Sequence, residues 1–380
     1  MFLQSLHLNQ FRNYGDQAVE FLAPKTILLG ENAQGKSNLL EAVELLATLK
    51  SHRTSRDLDL VQTDMATAQI RASLKRDLGV SSLQLTLRKG SRRTAVVNGE
   101  TLRRQQDFLG HLNAVQFSCL DLELVRGGPG TRRTWTDTLL MQLEPVYIHI
   151  LQQYSQVLKQ RNALLKQQAN QQGSNQTELP PPPDPTQLAL WDAQLATLGT
   201  RVIRRRARML QRLIPIAQTW HQAISGSTEQ LEIHYSPNVA VESDEASDIQ
   251  QAFLDKLQTK AMAEYYQRTT LVGPHRDDIS FLINETPARQ YGSQGQQRTL
   301  VLALKLSELQ LIEEVVGESP LLLLDDVLAE LDLNRQNQLL DTIQDRFQTL
   351  ITTTHLGSFD AQWLKFSQVL QVKNGSLEAA

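Results

Sequence analysis

At residues 30–37 the chain reads Gly30-Glu31-Asn32-Ala33-Gln34-Gly35-Lys36-Ser37, straight after the apolar run Lys25-Thr26-Ile27-Leu28-Leu29. From Ser37 to Leu49, the residues Leu39, Leu40, Val43, Leu46 and Ala47 recur at helical spacing. A strand, a glycine turn and an amphipathic helix in that order match G-x-x-x-x-G-K-[ST], a loop that cradles polyphosphate. Glycines let the backbone approach the phosphates, and successive N–H groups at a helix start face their negative charge. Lys36 supplies a point charge for the β and γ oxygens, and the Ser37 hydroxyl a ligand for Mg2+. The stretch predicts an ATP site made by Gly30, Glu31, Asn32, Ala33, Gln34, Gly35, Lys36 and Ser37.

Such a loop needs a second group to order the metal, usually an acid at the tip of a neighbouring buried strand. Leu321-Leu322-Leu323-Leu324-Asp325-Asp326 carries one. Asp325 is expected to hold Mg2+ through its water shell, and Asp326 to orient or deprotonate the attacking water. A third element, Tyr291-Gly292-Ser293-Gln294-Gly295-Gln296-Gln297-Arg298, leads into an apolar helix. Its start offers free N–H groups and the positive end of a dipole, so Ser293 to Gln296 forms a second candidate anion site. Ordinary N-capping by Ser293 fits the same spacing. The phosphate loop already covers the inner face of a nucleotide, so the second site is expected to serve a nucleotide held by another copy. That geometry predicts an ATP-dependent homodimer.

Around these motifs the pattern is α/β. Short apolar runs at Phe2–Leu8, Lys25–Leu29, Gln69–Leu74, Leu83–Leu87 and Thr94–Val97 predict a strand-rich N-terminal segment, with an Asn98-Gly99 hairpin signal. Long Gln/Leu/Arg stretches over 134–169 and 186–222 predict two antiparallel helices, separated by the proline-rich break near 170–185. Leu321–Leu324, Gln348–Thr353 and Val369–Val372 alternate with helical patterns and predict buried parallel strands. If the two ends share a sheet, residues 1–134 and 266–380 form one head, and 135–265 a helical lobe inserted into it.

Cys119 is the only cysteine, which excludes an intrachain disulfide or a cysteine-based zinc site and suits a reducing compartment such as the cytoplasm. No signal peptide or membrane span is read in the sequence. The net charge of -3 hides an asymmetry: residues 1–140, 141–226 and 227–380 carry +4, +5 and -12. The basic two-thirds hold three clusters: Lys50, Arg53 and Arg56; Arg92, Arg93, Arg103 and Arg104; and Arg204, Arg205 and Arg206. Taken together they predict sequence-independent contact with DNA phosphates. Few aromatics lie among them, which favours duplex or junction backbones over single-strand stacking.

GENAQGKSNLLEA, GPHRDD (273–278), YGSQGQQRTLVLALKLSE (291–308) and LLLLDDVLAELD (321–332) together resemble the RecF family of DNA replication and repair proteins. Phe11-Arg12-Asn13-Tyr14 and Val125-Arg126-Gly127-Gly128-Pro129 extend the likeness over the whole chain. The resemblance implies an ATPase head like those of ABC and SMC proteins. Ser293, Gly295 and Gln296 would be the signature that reaches the γ-phosphate across a dimer, and Ala329-Glu330-Leu331-Asp332 the D-loop. His355 stands where such ATPases carry a switch histidine, and Gln116 is the candidate glutamine-loop residue. Cys119-Leu120 replaces a usual Pro-Glu pair, and Asp326, shorter than the glutamate of wider ABC proteins, suggests slow hydrolysis. The family's role implies an ATP-clamped dimer on gapped DNA that helps load a recombinase, with mediators of the RecO and RecR kind as partners. The alternatives are the ATPase subunit of a membrane transporter and a small-molecule kinase.

Overall fold

The computed structural model describes residues 1–171, 185–239, 243–328, 333–343, 346–357, 359 and 361–379. In chain order, β1 (Phe2–Phe11), β2 (Tyr14–Glu20), β3 (Lys25–Leu29) and α1 (Lys36–Thr48) come first. The strands β4 (Thr67–Arg76), β5 (Gly79–Arg88), β6 (Thr94–Val97), β7 (Glu100–Thr101) and β8 (Ala114–Ser118) follow. The middle holds α2 (Glu123–Arg126), α3 (Pro129–Leu143), α4 (Val146–Gln171), α5 (Pro185–Ser225), β9 (Leu231–Ser236) and α6 (Ala246–Gln267). Last come β10 (Asp278–Ile283), β11 (Thr286–Pro287), α7 (Ala288–Tyr291), α8 (Gln294–Val316), β12 (Leu321–Asp325), α9 (Leu333–Ile343), β13 (Thr349–Thr353), α10 (Ala361–Lys365), β14 (Ser367–Lys373) and β15 (Ser376–Ala379).

Both ends of the chain meet in one sheet of order β15-β14-β3-β13-β12-β8, parallel except for the terminal β14–β15 hairpin. All five residues of β13 are buried, as are the first four of β3 and of β12. Strands of this kind are covered on both faces, which is why they read as unbroken apolar runs. Successive residues divide between two cores. Leu28, Leu321, Leu323 and Leu350 join α1 and the N-terminal antiparallel sheet, of order β2-β1-β4-β5-β6-β7, whereas Ile27, Leu322, Leu324 and Ile351 join α3, α8 and the helical arm. Thus α1 lies between two sheets, and its buried Leu39, Leu40, Val43 and Leu46 belong to the first core.

The middle departs from the expected helix pair. The first stretch is broken at Glu144-Pro145 into α3 and α4, because proline cannot extend a helix through its own missing N–H. A further long helix, α6, packs on α5. The lobe expected to be helical over 135–265 also holds β9, which pairs antiparallel with β10 beyond the expected boundary, Leu231 opposite Ile283 and Ser236 opposite Asp278. In α5, Trp220 Nε1 donates to Gln310 Oε1 of α8 at 3.1 Å, so the arm is seated on the helix that begins at Gln294. Most of the proline-rich stretch, and Ala329 to Asp332, lie outside the described residues.

Candidate nucleotide site and basic surface

The phosphate loop turns through two left-handed residues, Ala33 (φ 64°) and Gly35 (φ 119°). A Cβ on Gly30 would sit 2.4 Å from the carbonyl oxygen of Val372, so β14 runs too close for any side chain there. Lys36 is buried, and its Nζ donates to the carbonyls of Gly30 (2.7 Å) and Glu31 (2.8 Å). Burial lowers the Lys36 pKa, and the negative charges of Asp326 and Asp325 act against that shift. Ser37 Oγ donates to Asp325 Oδ1 at 2.7 Å, and the same carboxylate oxygen accepts from Thr352 Oγ1 at 2.9 Å.

Strand order explains this meeting. β13 lies between β3 and β12, so the C-terminal ends of three parallel strands present the loop, residues 354–355 and Asp325-Asp326 side by side. Ligands of open α/β sheets bind at that edge. Asp326 is exposed, takes a left-handed φ of 57°, and donates its N–H to Thr352 Oγ1 at 2.8 Å. His355 is exposed beyond β13, where its N–H donates to Thr353 Oγ1 at 3.3 Å.

Two hairpin turns hold the loop from outside. Asn13 Nδ2 donates to Gln34 O at 2.8 Å, and the buried Tyr14 hydroxyl to Gly35 O at 3.0 Å. From the β14–β15 turn, Gly375 N donates to Gln34 O at 3.0 Å and Asn374 N to Gln34 Oε1 at 2.8 Å. Arg12 forks onto the fully buried Glu41 of α1 at 2.6 and 2.8 Å, the bidentate geometry of a strong ion pair. The sequence singled out Phe11-Arg12-Asn13-Tyr14 by resemblance alone. Its role as a brace depends on contacts that no local pattern announces.

Ser293 is the N-cap of α8: its Oγ accepts from Gln296 N at 3.2 Å while Gln296 Oε1 accepts from Ser293 N at 2.8 Å, a complete capping box. Gly295 faces the Arg335 guanidinium, 3.5 Å from where a Cβ would stand. Among the described residues no hydrogen bond or ion pair joins Ser293, Gly295 or Gln296 to the phosphate loop. Gln297, which the sequence reading passed over, is buried and ties the turn down by donating to Ala288 O (2.8 Å) and accepting from Arg126 Nε (2.7 Å). The Cys119-Leu120 departure sits in a 3-10 turn whose anchor is Asp121, which accepts from Ser118 N at 2.7 Å and pairs with Lys305 of α8 at 2.9 Å. Both replaced residues are exposed.

The basic clusters separate into engaged and open residues. Arg206 must be withdrawn as a DNA contact: its side chain is 3% exposed and is clamped by Asp137 at 2.9 Å and Asp277 at 3.0 Å. Arg93 is withdrawn too, forked onto Asp57 and donating to Leu49 O. Both stand in runs of arginine that read as solvated, and both are claimed by acids distant in sequence. Arg56, Arg204 and Arg205 are paired with Asp59, Asp244 and Glu144 at the surface. Arg53 donates to Asn38 Oδ1 at 2.6 Å, beside the start of α1. Lys50, Arg92, Arg103 and Arg104 are exposed, and among the described residues no ion pair engages them.

Residues 2–378 match the family described as RecF/RecN/SMC N terminal domain. The chain is 68% identical over 377 residues to the DNA replication and repair protein RecF of Nostoc punctiforme, covering 99% of each. To the RecF of Acaryochloris marina it is 65% identical over 378 residues, covering 100% of this chain and 99% of the relative. A solved structure of the recombination mediator protein RecF with ATP, from the RecFOR pathway, superimposes with a TM-score of 0.90 at 33% identity, over 100% of this chain and 97% of that one. The Smc head domain of Pyrococcus furiosus aligns with a TM-score of 0.55 at 14% identity, over 100% of this chain and 96% of that one, a likeness of fold alone. With one family spanning the chain and relatives this similar over their full length, the chain belongs to the RecF family.

Proposed function

We propose that this protein is an ATP-gated DNA-binding switch of recombinational repair and replication restart, with weak, DNA-stimulated ATPase activity. The observation that carries the reading is the meeting of Ser37 Oγ and Asp325 Oδ1 at 2.7 Å, beside Lys36, at the C-terminal edge of a parallel sheet. The relatives' role in DNA replication and repair, and the likeness to an ATP-bound recombination mediator, support it. In this reading the backbone from Gly30 to Gly35 and the start of α1 receive the phosphates, and Lys36 pairs with their outer oxygens. A hydroxyl and a carboxylate form a hard oxygen donor pair that suits Mg2+, which when bound would offset phosphate charge. Asp326, exposed beside that pair, takes the role of holding the attacking water and accepting its proton. His355 faces the same edge as a third polar group.

Ser293, Gly295 and Gln296 of a second copy would close over the γ-phosphate, making the dimer depend on ATP. Slow hydrolysis would then release it. Residues 135–265 act as a lobe inserted into the head formed by 1–134 and 266–380. DNA, duplex or at a single-strand junction, would be met through its phosphates by Lys50, Arg92, Arg103 and Arg104, independently of sequence. Recombination mediators of the RecO and RecR kind are the expected partners, and the cytoplasm the expected location. The transporter reading is not favoured, because the relatives matched over the full length are named DNA replication and repair proteins. Light scattering with ATP, ADP and no nucleotide, each with and without a gapped duplex, tests the proposal. ATP-specific dimers that retain DNA are expected; a chain that stays monomeric with ATP and DNA would overturn it.

A further inference from the structure

Gln116 lies at the centre of β8, opposite Leu323 of β12, two residues before the Ser118–Asp325 pair. Leu321 and Leu323 belong to the core that α1 shares, so by the alternation of a strand Gln116 and Asp325 face the same side. Gln116 lines a cavity of about 570 Å3 together with Glu44, His52, Ser118 and Asp121. Its Nε2 is 3.2 Å from His52 Nε2, while its Oε1 is buried with no hydrogen-bond partner among the described residues. The other ring nitrogen, His52 Nδ1, is 2.6 Å from Glu44 Oε2, which also accepts the His52 backbone N–H at 3.2 Å.

These contacts form a relay with two settings. When Nδ1–H donates to Glu44 and the ring is neutral, Nε2 accepts from the Gln116 amide, and the amide oxygen is the end left over. When the ring is cationic, Nε2–H needs that oxygen, so the amide turns end for end and shows its NH2 group instead. Burial disfavours the cation, but Glu44, Glu41 and Asp325 outweigh it and raise the His52 pKa. Asp325 therefore lies within electrostatic reach of the ring that holds Gln116.

We propose that His52, oriented by Glu44, is a positioning residue that decides which end of the Gln116 carboxamide is offered to the nucleotide-bound site. Its ligand there is water: an acceptor oxygen or a donor NH2 group orders the molecule in opposite senses. This rests on the reading of residues 30–37 as an ATP site. His52 itself touches no nucleotide. Loss of either member removes the same positioning, so their effects on turnover must not add.

The test uses the full chain and its variants His52→Ala, Gln116→Ala, the double variant and His52→Gln. Single-turnover ATP hydrolysis should fall about tenfold in each alanine variant, the scale of one lost hydrogen bond, with ATP affinity unchanged. The double variant should be no slower than either single one. His52→Gln, whose amide can meet Gln116 in place of the ring, should recover most of the rate. In histidine-15N-labelled protein without nucleotide, Gln116→Ala should shift the ring resonance of His52. Additive losses near a hundredfold, or an unmoved His52 resonance, would overturn the proposal. If the unmutated chain bound no ATP, the nucleotide reading would fail, while the resonance would still report on the His52–Gln116 contact.

Discussion

The phosphate loop and the turn at Ser293 both start a long buried helix with glycine and polar residues, yet they are built in opposite ways. Gly30 to Ser37 is gripped on every side by its own chain, through Asn13, Tyr14, Asn374, Gly375 and Asp325. Ser293 to Gln296 is closed by its own capping box, with Gly295 against Arg335 and with Ser293 and Gln294 exposed. One turn is clasped by distant parts of its own chain; the other leaves Ser293 and Gln294 exposed. An exposed turn of this kind is what the proposed closure by a second copy would use.

Lys36→Ala and Ser293→Arg divide the two sites most widely. The first should weaken ATP binding at least about a hundredfold, as expected when a preorganised charge on phosphate is removed, read by titration with a fluorescent ATP analogue. The second should leave that titration within about twofold but abolish the ATP-dependent dimer in light scattering, since an added guanidinium blocks closure without reaching the loop. Equal loss of binding in both variants would erase the distinction. A glycine pair sharpens it. Gly35→Ala places a Cβ 2.6 Å from Asn13 at a φ of 119° and should cost about 2–3 kcal/mol in urea unfolding. Gly295→Ala meets nothing closer than 3.5 Å and should change stability by less than about 0.5 kcal/mol.

Smaller effects follow. Ser293→Ala removes only the cap and should destabilise the chain by about 1 kcal/mol, measured the same way. Arg103→Ala and Arg104→Ala should each lower duplex affinity by a few-fold and reduce the salt slope by about one unit, with ATP binding untouched. An unchanged salt slope would remove this face from the DNA surface.

The strand, loop and helix around Gly30 were legible because they are contiguous: Lys25–Leu29 and Lys36–Thr48 match the expected limits to within a residue. Short apolar runs likewise marked β12 and β13. Their order did not follow from sequence, since nothing local in Thr349–Thr353 says that it pairs with Lys25–Leu29. β9 was passed over although Leu231 and Ile233 alternate with polar residues, because the surrounding segment read as helix. Arg206 was misread for a physical reason. Asp277, in the GPHRDD stretch, accepts from Arg206, from the Tyr235 hydroxyl and from Asn238 N, a buried convergence of three chain segments invisible in any one of them.

The hairpin that closes on Gln34 has a consequence for synthesis. A ribosome delivers the phosphate loop early, but Asn374, which completes its clasp, lies 340 residues further along. β12, β13 and β14, which flank the loop and carry Asp325, also emerge late. A nascent chain thus holds a recognisable nucleotide motif for most of its translation without the sheet that makes it competent. Products terminated before β12 are expected to bind no ATP, because the strands that flank the loop leave the ribosome after it.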